Sequence, residues 1–231
     1  MIRPSAWHRL PSKPVLAALP ALRWQPEDDM PAAAATAALM LYVVLNFQAR
    51  SEVQAEGITT MVGYATYEEL GEAAGLSRSL IASGLKRLQA LGLITPEGSP
   101  QRRRYVITGP HDTWFKLPCR VILQRGAIAP FTTFSLRSKH ELHAMKLYLY
   151  LAASRPNPNA FTMVSYERIH ERTGIAERDI RRAISILIGS GLLINVDREF
   201  SRQLRVNEAN KYYLTGHFEL FPRAAATQAA Q

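Results

Sequence analysis

Arg178 and Arg182 stand four residues apart in a segment whose apolar residues, Ile180, Ile184 and Leu187, recur at helical spacing. At 100° per residue, both guanidiniums fall on one outward stripe with Ser185, and Arg181 lies on its flank. Each guanidinium is a planar fork of donors that fits the O6 and N7 acceptors of guanine, or two oxygens of a phosphate. An earlier segment has the same design. Ile81, Leu85 and Leu88 mark its apolar face, Ser79, Ser83 and Lys86 lie opposite, and Arg78, Ala82 and Arg87 flank them. Arg102, Arg103 and Arg104 follow that segment, and Arg198, Arg202, Arg205 and Lys211 follow the later one. The chemistry these residues offer is recognition of a polyanion. The competing reading is a solvated basic face, since Glu177 and Asp179 border Arg178 and Asp197, Glu199 and Glu208 dilute the last group.

Other chemistry is poorly represented. The phosphate loop Gly-x-x-x-x-Gly-Lys and the dinucleotide fingerprint Gly-x-Gly-x-x-Gly are both absent. His140-Glu141-Leu142-His143 spaces its histidines by three rather than the four of a zinc-protease helix, with no third ligand close in sequence. The single cysteine, Cys119, excludes an intramolecular disulfide framework and a cysteine-based zinc site. No catalytic constellation assembles, so we expect neither an enzyme nor a bound cofactor or metal.

Composition agrees with a polyanion partner. Across 231 residues there are 28 Lys+Arg against 19 Asp+Glu, a net charge of +9, and 22 of the 28 cations are arginine. At 47% hydrophobic and 20% charged residues the chain can form a packed core. From Ser77 to Arg104 the balance is +5, and the stretch from Thr113 to His140 has five cations and no acid. That stretch also holds Trp114, Phe115, Phe131 and Phe134, too apolar for a floppy linker.

Two segments raise the question of membranes. Residues 1–26 are basic, with a short apolar run, but Pro14 and Pro20 interrupt it and no small-residue cleavage site follows. They read as a basic, proline-rich arm. Residues 30–49 carry no charge over 20 positions, which is long enough to span a bilayer. Thr36, Asn46, Gln48 and an alanine-rich first half argue instead for a buried globular helix.

An internal duplication supports the globular reading. Residues 67–94 align with 166–193 without a gap, at a shift of 99. Eight of the 28 positions are identical, among them Tyr67/Tyr166, Gly75/Gly174, Leu88/Leu187 and Gly92/Gly191. Upstream, Leu41-Tyr42-Val43-Val44-Leu45 parallels Leu147-Tyr148-Leu149-Tyr150-Leu151 at a shift of 106, so the first copy carries a longer loop over 49–64. The second copy of this apolar helix holds His143 and Lys146, which suits a globular helix better than a membrane span.

Each copy predicts an apolar helix (about 31–50 and 138–154), a short helix after Thr66 or Ser165, a turn at Gly75 or Gly174, and a third helix over about 77–91 or 176–190. Thr66 with Glu69 forms a capping box, and Ser77 caps well whereas Ala176 caps poorly. Gly92 or Gly191 ends the third helix. Two strands then follow, 93–95 and 105–107 around a Pro96 to Pro100 turn in the first copy, 192–196 and 211–214 around a polar excursion in the second.

The pattern Tyr-Glu-x-Leu/Ile-x-x-x-x-Gly-Leu/Ile, then a helix, then Gly-Leu-Leu/Ile and a hairpin resembles the winged helix-turn-helix superfamily. The expected fold is mainly α with small β-hairpins (α+β), in two tandem winged-helix domains. The divisions would be an arm at 1–29, domain 1 at 30–110, a packed basic connector at 111–136, domain 2 at 137–221 and a disordered tail at 222–231. In this superfamily the third helix enters the major groove and the hairpin, or wing, lies beside it. The resemblance thus makes Arg78, Ser79, Ser83, Lys86, Arg87, Arg178, Arg181, Arg182 and Ser185 base or phosphate contacts. It makes Arg102, Arg103, Arg104, Arg202 and Arg205 wing contacts. The implied partner is double-stranded DNA, with no membrane; a homodimer is compatible but not required, since one chain presents two such helices. The implied role is a transcriptional regulator, cytoplasmic and nucleoid-associated. Two-winged-helix plasmid replication initiators are a looser resemblance, through Trp114-Phe115-Lys116-Leu117-Pro118, and tandem winged-helix scaffold subunits a third, which the basic charge disfavours.

Overall fold

The computed structural model describes residues 6–53, 59–99, 102–109, 113–156, 159–197, 200–201, 206–207 and 209–218. The first segment is no free arm. β1 (Trp7–Pro11) leads into α1 (Ser12–Ala18) and a 3-10 turn at Leu19–Ala21. Leu10, Val15, Leu19 and Leu22 are buried, and their combined apolar surface outweighs the local disruption of the prolines. Pro14 is tolerated because it lies in the first turn of α1, where a backbone N–H has no helical partner anyway.

The uncharged run becomes α2 (Ala34–Gln48), buried along almost its whole length. Small residues let neighbours approach it closely. At Gly84 an added Cβ would come within 2.8 Å of Leu41 Cδ1 and 3.1 Å of the Ala38 nitrogen. No described helix is long and apolar enough to cross a membrane. The expected loop over 49–64 contains a hairpin instead, β2 (Arg50–Val53) and β3 (Thr59–Tyr64). α3 (Tyr67–Ala74) follows, with the Thr66–Glu69 capping box formed on both sides. After Gly75, at φ 69°, Ser77 caps α4 (Arg78–Ala90) by accepting from the Leu80 nitrogen. β4 (Ile94–Ser99) and β5 (Arg102–Ile107) complete an antiparallel sheet ordered β2-β3-β5-β4.

The connector is built into the same core. β6 (Trp114–Pro118) pairs antiparallel with β1, and the short β7 (Leu123–Gln124) and β8 (Ala127–Ile128) form a second ribbon before a 3-10 turn at Ala129–Thr133. Phe115, Leu117, Ile128 and Phe131 are buried here. Cys119 is buried too, and burial pushes its thiol up to about 11, so it stays protonated and inert.

The second copy runs α5 (Lys139–Ser154), β9 (Thr162–Val164), α6 (Tyr166–Thr173), α7 (Glu177–Ser190) and β10 (Leu193–Asp197). A minor ladder, β11 (Phe200–Ser201) with β12 (Val206–Asn207), fills part of the polar excursion, and β13 (Asn210–Leu214) closes a sheet ordered β10-β13-β9. The two copies therefore share an order: central helix, strand, two helices, hairpin, with the strand paired to the hairpin's second member. Lys146, buried in α5, donates to the Thr173 carbonyl at 2.6 Å and so satisfies an orphan acceptor at the C-terminus of α6. α2 and α5 meet at the centre of one continuous hydrophobic core. The architecture is mixed, helices with small antiparallel sheets.

Candidate nucleic-acid interface

The outward stripe of α7 is as the helical spacing predicts. Arg178, Arg181, Arg182 and Ser185 are all exposed. No ion pair joins any of the three arginines to a described residue. Of the two acids expected to neutralise the stripe, Glu177 is exposed with no ion pair among the described residues, and Asp179 is engaged elsewhere. Its carboxylate accepts from Lys139 Nζ at 2.9 Å, and that hydrogen bond holds it below the usual carboxylate range. The helix itself is ordered by Ile180, Ala183 and Leu187 in the core and by Gly191 at φ 81° beyond its last turn. Ala176 makes no side-chain cap, as expected of alanine.

α4 presents a different surface. Arg78 and Ser79 are exposed at its start, and Ser83 is half-buried. Further along, a turn bridging Glu27 to Met30 packs against the helix. Glu27 forms an ion pair with Arg87, and Lys86 Nζ donates to the Asp28 carbonyl at 3.2 Å. Arg87 is buried, 7% exposed, so its assignment as a DNA contact is corrected: it is a structural cation. The helical wheel put it on the flank because the wheel contains no information about residues 27–30. The same turn brings Asp28 and Asp29, both exposed, to this end of the helix.

The β4–β5 hairpin is also less free than three adjacent arginines suggest. Alternation along a strand sends neighbours to opposite faces. Arg103 lies over the ring of Tyr67, 5.0 Å from its centroid, and donates to the Tyr67 hydroxyl at 3.1 Å. Arg104 is clamped between Glu52 and Glu97; hydrogen bonding to Arg104 lowers the pKa of Glu52, and the Tyr64 hydroxyl assists. Arg104, expected as a wing contact, is thus paired with two carboxylates, because β2, the hairpin partner of β3, brings Glu52 across. The side chain of Arg102, the whole of Arg202 and Arg205, and the expected tail at 222–231 lie outside the described residues. A groove of about 740 Å³ runs between α3, the start of α4 and the hairpin, with Arg78 and Arg103 facing Glu68 and Glu72.

Three groupings have no signature in the linear sequence. Trp7 and Trp114 stack at 6.3 Å across β1 and β6, with Arg9 4.2 Å from the Trp114 centroid and Lys116 4.3 Å from that of Trp7. Arg9 of the expected arm and Lys116 of the expected connector are thus set in one tryptophan ladder. The second is the Glu27–Asp29 turn. The third joins His140 and His143 of α5 to Asp179 of α7, with His143 pushed down to about 4 chiefly by burial. Only the pairing registers and helix crossings bring these residues together.

No protein-family model, curated protein or solved structure matches this chain.

Proposed function

We propose that the chain is a sequence-specific double-stranded DNA-binding protein, built from two tandem winged helix-turn-helix units and acting as a transcriptional regulator. The observation that carries the reading is the stripe of Arg178, Arg181 and Arg182, three exposed guanidiniums with no ion-pair partner among the described residues, on one face of α7. Forked donors on a helix that follows a tight glycine turn and precedes a hairpin suit guanine edges and flanking phosphates in a major groove. The shared element order of the two copies supports the fold assignment. In this reading α7 is the main base-reading helix. α4 contributes its first turn, Arg78 and Ser79, while Arg103 supplies a backbone contact.

Selection of bound sequences from a random duplex pool, followed by titration at several salt concentrations, tests the proposal. Affinity should fall steeply with salt, as released counterions require. Replacing Arg178 and Arg182 with alanine should flatten the selected consensus, and Arg103→Ala should weaken all sequences alike. A chain that retains no duplex at low salt would overturn the reading. Selection of direct repeats with strand opening would assign replication initiation in place of regulation.

A further inference from the structure

His140 and His143 lie in the first two turns of α5, and Asp179 in the first turn of α7. Their donor atoms all fall within 4.8 Å of one another. His140 Nδ1 is 4.0 Å from Asp179 Oδ1, and His143 Nδ1 is 3.8 Å from Asp179 Oδ2. Both Nδ1 atoms are buried without a hydrogen-bond partner among the described residues. A buried polar atom left so costs about 1–3 kcal/mol and calls for a reason.

The repeat shows that packing does not require these groups. At the shifts of 106 and 99, the same junction in the first copy holds Ala34, Ala37 and Leu80. Both alanines are fully buried and Leu80 packs on the core. One helix junction is thus apolar in the first copy and carries two imidazoles and a carboxylate in the second.

We infer that His140, His143 and Asp179 form a binding site for a first-row divalent transition metal, zinc foremost, that bridges α5 and α7. Two imidazole nitrogens and one carboxylate oxygen make a three-ligand set with a fourth position left for water. Bonds of ~2.0–2.2 Å place tetrahedral donors roughly 3.4 Å apart. The separations of 3.8 and 4.0 Å reach that spacing by small side-chain rotations. Lys139, whose Nζ stands 2.9 Å from Asp179 Oδ2, is the cation a metal displaces; its side chain is 45% exposed and can swing into water. The second nearby cation, Lys146, is held on the Thr173 carbonyl and does not compete for the carboxylate. The site stands independently of DNA binding.

The test is a titration of the untagged chain with Zn²⁺ and Co²⁺, read by calorimetry and by the visible absorption of bound Co²⁺. One equivalent should bind. His140→Ala, His143→Ala and Asp179→Asn should each weaken it more than about ten-fold. Lys139→Met, which removes the competing cation from an exposed position, should tighten it, and His170→Ala, away from the site, should leave it unchanged. Absence of stoichiometric binding, or binding by His140→Ala equal to that of the unaltered chain, would overturn the site.

Discussion

α4 and α7 hold the same place in the two repeats, yet their outward faces are connected differently. On α7 one of the two first-turn acids, Asp179, is turned inward to Lys139 and the α5 histidines, and no described acid forms an ion pair with the guanidiniums. On α4 the later cations are taken up by a turn from the N-terminal segment, Arg87 by Glu27 and Lys86 by the Asp28 carbonyl. Local charge counts rank α4 and its hairpin as the surface richer in available cations. The three-dimensional arrangement reverses that order, because a cation's availability depends on its nearest acid in space.

The largest effect expected from this contrast is on binding. Arg178→Ala with Arg182→Ala should cost about 100-fold or more in affinity for the selected site, since each bidentate pair contributes ~1–3 kcal/mol. The matching pair on α4, Ser79→Ala with Ser83→Ala, should cost less than ten-fold by the same titration. Equal losses from the two pairs would erase the distinction.

Stability should show the opposite asymmetry. Glu27→Ala leaves Arg87 buried without its counter-ion and should destabilise the fold by about 2 kcal/mol in denaturant titration, whereas Arg181→Ala should change stability by less than ~0.5 kcal/mol. The α2–α4 contact is tighter than its counterpart. Gly84 admits no Cβ, whereas Ala183 fills the corresponding position of α7. Gly84→Ala should therefore cost roughly 2 kcal/mol through overpacking.

Acid should weaken the fold through the histidines it buries. His8 packs on Phe47 of α2 with its pKa lowered by burial, and His217 is fully buried beside the end of β13. Burial pushes it down to about 3. As pH falls below 6.5 the unfolded chain takes up a proton that the folded chain refuses, so stability is lost progressively from there toward pH 3. The loss should reach roughly 2 kcal/mol by pH 5. Thermal unfolding at pH 7 and pH 5 should show it, and His217→Leu should lessen the difference. The smallest effect concerns Asp28 and Asp29, which adopt left-handed φ values of 47° and 62° that asparagine also tolerates. Replacing both with asparagine should raise duplex affinity only a few-fold, by removing repulsion beside α4.

By itself the sequence determined the periodic and capped parts of this protein. Helical spacing, the Thr66–Glu69 box and the glycines at 75, 92, 174 and 191 specify the helices and their ends, because those signals act over one or two turns. The shift of 99 identified the duplication, and the exposed stripe of α7 followed from 100° geometry alone. Strands β3 and β9 have no local signature, since each is stabilised by ladder bonds to a hairpin far along the chain. Tertiary structure alone decided that Leu10, Val15 and Leu19 turn a basic arm into core, that Glu27 claims Arg87, and that His140, His143 and Asp179 converge. Each of these depends on which distant surfaces gain most by leaving water together. That is a property of the whole packed chain, and no window of neighbouring residues encodes it.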